Sequence, residues 1–180
     1  MNAPGSHRGS DDTRRVWLIR HAQAADAGPG QADFERELTR HGHSQCRQLR
    51  AWLRARLDRH PGCNDEDQVF TLLTSPAPRA RRTAELAFEG WFSGRNESEE
   101  RLWNATFGAL VEVLEACDGN VALIGHNPGM EQLQHALTGR LLPLSTAGAF
   151  ELEVPVGDPL GRARLIDRFH GLRPPPSDST

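Results

Sequence analysis

Val121-Ala122-Leu123-Ile124-Gly125-His126-Asn127-Pro128-Gly129 is the stretch on which the fold is decided. Four apolar residues and a glycine, with no polar alternation, read as a strand buried on both faces, and such strands belong to parallel sheets covered by helices. Asn127-Pro128 then reads as a helix start, with Asn as N-cap and Pro in the first turn. Met130, Leu133 and Leu137 supply that helix's buried face, and Gly139 its stop.

The same strand-into-helix order occurs twice upstream. Val16-Trp17-Leu18-Ile19 runs into Arg20-His21, and a helix follows from Thr39, its N-cap, with Cys46, Leu49, Leu53 and Leu57 on one face. Val69 to Thr74 runs into Ser75-Pro76, after which Ala80, Ala84, Ala87 and Phe88 keep helical spacing. Glu89 to Glu99 reads as loop. Trp103, Phe107, Leu110, Val111 and Leu114 then form the core stripe of another helix, ending near Cys117-Asp118-Gly119. Ala149 to Val154 and Arg162 to Phe169 alternate with period two. The expected fold is therefore α/β, three layers as α/β/α, with a largely parallel central sheet and a terminal β pair. Residues 1–14 and 171–180 are polar and rich in turn formers, so they are expected to be flexible tails around one domain at 15–170.

Composition narrows the function. At 180 residues the chain is about one domain, and no apolar run approaches the roughly 20 residues of a membrane span. A net charge of -3 lacks the basic excess of a nucleic-acid binder. All 21 basic residues are Arg, which excludes Schiff-base lysine and Walker-type lysine chemistry. Cys46, Cys63 and Cys117 are odd in number and lack CxxC spacing, so neither a disulfide framework nor a zinc site is expected. With no apolar signal-peptide core near Met1, a cytoplasmic protein is the expectation.

In open α/β sheets, ligands bind beyond the carboxyl ends of the strands. Arg20-His21, Ser75-Pro76-Ala77-Pro78-Arg79 and Gly125-His126-Asn127-Pro128 should therefore converge. Two guanidiniums and a histidine able to carry positive charge suit a tetrahedral dianion. The second histidine, discouraged from protonating by the arginines, has the form of a nucleophile. The other polar residues have plainer readings. Ser75 reads as the cap of its helix, Arg81 and Arg82 as solvated charge, His41 and His43 as exposed, and Cys46 and the Trp103/Phe107 stripe as core.

Leu18-Ile19-Arg20-His21-Ala22, Leu38-Thr39-Arg40-His41-Gly42, Ser75-Pro76-Ala77-Pro78-Arg79-Ala80-Arg81-Arg82-Thr83 and Gly125-His126-Asn127-Pro128-Gly129 together resemble the histidine phosphatase superfamily, over roughly residues 15–170. Asp33-Phe34-Glu35-Arg36-Glu37-Leu38-Thr39 and Leu102-Trp103-Asn104-Ala105 are most similar to its SixA type of phosphohistidine phosphatase. The resemblance implies that His21 takes the phosphoryl group while Arg20, Arg79 and His126 hold its oxygens, with no metal or cofactor. The usual Gly after the nucleophile is Ala22 here. A proton donor from the loop before the third helix falls at Glu99 or Glu100, with Asp33 as the alternative. Phosphohistidine on a protein is the favoured substrate and a small phosphate monoester the alternative. An idle phosphate-binding or scaffolding module is the reading from another class, but it would need the arginines without the nucleophile.

Overall fold

The stretch from Val121 to Gly125 forms β4, buried at all five positions. It pairs in parallel with β1 (Thr13–Arg20) on one side and β2 (Thr71–Thr74) on the other. Outside β2 lies the short parallel β3 (Asn96–Ser98), while β5 (Ala149–Pro155) and β6 (Arg164–Phe169) continue antiparallel from β1. The sheet order is β3-β2-β4-β1-β5-β6. Residues 13–57, 70–92 and 94–171 are described by this computed structural model.

Alternate side chains of the central strands enter two cores, as a two-residue period requires. Val16, Leu18, Val121 and Leu123 pack under α3 (Phe107–Glu115) and α4 (Gly129–Thr138). Trp17, Ile19, Ala122 and Ile124 pack under α1 (Arg40–Leu57) and α2 (Pro78–Phe88). The architecture is the three-layer α/β/α fold read from the sequence, with its terminal β pair. Thr39 caps α1, its hydroxyl accepting from the Gly42 N–H at 2.9 Å. Gly139 ends α4 at a φ of +68°, a left-handed conformation that suits glycine.

Five local readings are corrected. β1 begins at Thr13, so residues 13 and 14 belong to the sheet and not to a tail. Thr13 pairs with Pro155, and the Arg14 guanidinium donates to the carbonyls of Leu114 and Cys117, placing a cation at the negative end of α3. Residues 89–99 contain β3, a polar edge strand with only one neighbour and thus no apolar run to reveal it. Asn127 does not cap α4, because its side-chain amide donates instead to the Leu144 carbonyl at 3.0 Å. The third helix starts at Phe107, four residues after Trp103, with Thr106 accepting from the Ala109 N–H at 3.3 Å. β6 starts at Arg164 and not at Arg162. Residues 1–12 and 172–180, together with Cys63 and Val69, lie outside the described residues.

Candidate active site

The carboxyl ends of β1, β4 and β2 are neighbours in the sheet, and backbone hydrogen bonds carry that register into the loops beyond. The His21 N–H donates to the Gly125 carbonyl at 3.0 Å, and the Ser75 N–H to the Ile124 carbonyl at 3.0 Å. The imidazoles of His21 and His126 consequently sit 4.9 Å apart, centroid to centroid. Arg79, in the first turn of α2, is buried beside them.

His21 Nδ1 lies 2.7 Å from its neighbour's carbonyl oxygen, on Ala22. A carbonyl can only accept, so Nδ1 carries the proton and Nε2 presents a lone pair. Arg79 Nε donates to that Nε2 at 3.3 Å. Burial pushes the His21 pKa down to about 4, and the charges of Arg79, Arg20 and Arg36 lower it further against the raising effect of the Ala22 hydrogen bond. The ring is neutral at pH 7. Thr83 fixes this arrangement from α2, its hydroxyl accepting from the Ala22 N–H at 3.0 Å and donating to the Arg79 carbonyl at 2.7 Å.

Arg79 is also held from the loop before α1. Its Nη1 donates to the Asp33 carbonyl at 2.6 Å, and its Nη2 to Asp33 Oδ2 at 2.9 Å. Arg36 binds the other Asp33 oxygen at 2.9 Å. Arg36 first, then Arg79, hold the Asp33 carboxyl below the usual carboxylate range. At neutral pH Asp33 is therefore ionised, and it holds Arg79 through both its backbone carbonyl and its side-chain carboxylate. Glu100 lies exposed in the 3-10 turn Glu100–Leu102, and Glu99 caps that turn while pairing with Arg101 at 2.9 Å. Among the described residues, no hydrogen bond or ion pair links either glutamate to His21, Arg20, Arg79 or His126.

Arg20 donates through Nη1 to the Leu144 carbonyl at 3.0 Å, the same oxygen that holds Asn127. His126 Nε2 lies 2.8 Å from Ser75 Oγ. Ser75 is thus not the cap of α2, a place taken by Ala77 without a side-chain bond. It is fully buried and orients His126. Burial, then His21 and Arg79, push the His126 pKa down to about 3, so the ring read as able to carry positive charge is neutral here at pH 7. A phosphoryl dianion would oppose that shift.

Trp103 and Phe107, expected in the core, lie outside it: Phe107 is exposed at the start of α3, and Trp103 stands at this site. Its ring meets His126 edge-on at 5.0 Å and Phe34 at 5.1 Å, and the Arg79 guanidinium lies 5.0 Å from its centroid. Asn104, at a φ of +47°, and the Thr106 cap turn the chain between Trp103 and α3. Those two residue types were the available signal. His41 and His43, expected exposed, are half-buried, and among the described residues no cluster of His, Cys, Asp or Glu could hold a metal ion.

Residues 16–120, more than half of the chain, match the family model of the histidine phosphatase superfamily, branch 1. The chain belongs to that superfamily. No curated protein matches the chain. Among solved structures, it is similar to a protein assigned as the phosphohistidine phosphatase SixA of Agrobacterium tumefaciens, at 27% identity and a TM-score of 0.72, over 87% of this chain and 97% of that one. A protein histidine phosphatase SixA complexed with tungstate gives 22%, 0.71, 87% and 97%. A protein assigned as an α-ribazole-5′-phosphate phosphatase of Escherichia coli gives 15%, 0.58, 84% and 94%.

The two neutral histidines tie the stability of this chain to pH. In the unfolded chain each would protonate near 6.5, whereas the folded values lie at about 4 and about 3. Between those limits the unfolded state binds more protons, so stability is full above about pH 6.5 and falls as pH drops toward 4. For His21 alone the loss is on the order of 3 kcal/mol. Urea midpoints measured from pH 7 to 4.5 should fall accordingly, with a shallower slope in His21→Asn.

Proposed function

We propose that this histidine phosphatase moves a phosphoryl group to His21 Nε2 and then to water, without a metal, and that its substrate is phosphohistidine on a protein. The observation that carries the chemistry is the His21 tautomer: Nδ1 is committed to the Ala22 carbonyl, and an unprotonated Nε2 faces Arg79. In the first step the Nε2 lone pair forms the N–P bond while the bond from phosphorus to the leaving atom breaks, its electron pair leaving with that atom. Water then attacks phosphorus, the N–P bond breaks, and the pair returns to Nε2. One proton of the water ends on the leaving group, and inorganic phosphate departs. Arg20, Arg79 and the His126 ring surround the transferred oxygens, supplying the positioning and charge on which phosphoryl transfer chiefly depends.

Three observations support the substrate. The fold is closer to the two SixA structures than to the α-ribazole phosphate enzyme, and one of the former holds tungstate, a tetrahedral dianion. Neither glutamate is tied to the site, and Asp33 is ionised. A phosphorylated imidazole needs no enzyme acid once its own ring is protonated, whereas an alkoxide does. The free thiols of Cys46 and Cys117 support a cytoplasmic location.

Rates on a phosphohistidine protein and on glycerol phosphate, both with chelator present, test this reading. Phosphohistidine should be strongly preferred. Asp33→Asn, which loosens a partly exposed ion pair, should cost about fivefold or less, and Glu100→Gln less still. Equal rates on the alkyl ester, lost selectively in Glu100→Gln, would instead establish a small-molecule phosphatase with a committed acid.

A further inference from the structure

Three aromatic side chains, Phe34, Trp103 and Phe107, belong to none of the three hydrophobic cores of the described residues, and two of them, Phe34 and Trp103, lie against each other. Phe34 is 37% exposed on the short turn Asp33–Glu35, and Trp103 is half-buried between the turn Glu100–Leu102 and α3. They come from segments far apart in sequence and meet edge to face. Paired outside the cores, the two rings give the surface beside the site an apolar face. Their position says what they would contact. Trp103 touches both His126 and the Arg79 guanidinium, the groups that flank His21 Nε2.

Resting on the phosphatase reading, we propose that Phe34 and Trp103 form the wall against which the leaving group packs, and that they select a phosphorylated aromatic ring over an aliphatic one. With the phosphoryl group between Arg20, Arg79 and His126, the atom bonded to phosphorus on the side away from Nε2 emerges beside these rings. An imidazole there meets aromatic faces and edges in the offset or T-shaped geometries that such pairs favour. An alkyl or amino group presents no ring to pack.

Two small P–N compounds separate ring contact from bond chemistry: phosphoimidazole and phosphoramidate. Wild type should show a kcat/KM ratio favouring phosphoimidazole. Trp103→Ala should lower that ratio about tenfold, the upper range of one aromatic pair, and Trp103→Phe should recover most of it. Phe34→Ala, which removes an exposed ring outside the cores, should lower the ratio in the same direction with the fold intact. Equal losses on both compounds in Trp103→Ala would show that Trp103 acts only by supporting Arg79, and would overturn the wall; so would an unchanged ratio in both alanine variants. A wild type that turns over a phosphohistidine protein but neither small compound would overturn the wall alone, and one that turns over none of the three would refute the phosphatase reading and the wall with it.

Discussion

His21→Ala should remove turnover by at least about 10⁴-fold, as losing the nucleophile does in other covalent catalysts, while vanadate or tungstate still binds. The reason is a division of labour visible in the site. Arg20 is anchored to the Leu144 carbonyl, Arg79 to Asp33, and His126 to Ser75, so none of these three depends on the His21 ring for its main support. The anion cradle survives removal of the imidazole, but no lone pair remains to take the phosphoryl group. Titration calorimetry with vanadate, beside a phosphate-release assay, checks both halves. Residual turnover above a percent of wild type would move the nucleophile elsewhere.

Arg79→Lys should cost on the order of 10²- to 10³-fold in kcat/KM although the charge is kept, by analogy with removing one oxyanion donor. Arg79 uses three separate nitrogens, with Nε toward His21 Nε2 and the two terminal nitrogens toward Asp33. A planar fork does this in one rigid geometry, whereas an ammonium is a single point on a flexible stem. The substitution therefore withdraws both the donor beside the nucleophile and the link to the Asp33 loop. A rate within threefold of wild type would put Arg79 with Arg81 and Arg82, outside the chemistry.

Legibility in the sequence followed burial. β1, β2 and β4 are apolar because both faces are covered, and a strand of that kind announces itself and the helix after it. Once those strands were ordered in parallel, Arg20, His21, Arg79 and His126 had to meet. What escaped the reading depends on one-sided or long-range contacts. β3 is polar because it lies at an edge. Ser75 precedes a helix in the position of a cap, and only the register of β2 against β4 turns it toward His126. Trp103 continues the periodicity of Phe107, Leu110 and Leu114, so spacing alone extends the helix back to it. The positive φ of Asn104 breaks that continuity and delivers the ring to Arg79. Asp33 sits in a loop whose composition explains an aspartate without any role, and its contact with Arg79 spans 46 residues.

The central claim is that His21 Nε2 becomes phosphorylated, and rapid quenching tests it most directly. Wild type is mixed for milliseconds with a substrate carrying labelled phosphate, stopped in base, and the labelled peptide is mapped by mass spectrometry. The expected result is a base-stable, acid-labile phosphate on Nε2 of His21, formed no more slowly than turnover and absent from His21→Ala. Label on Ser75 or on His126, or steady turnover with no label at any time, would contradict it.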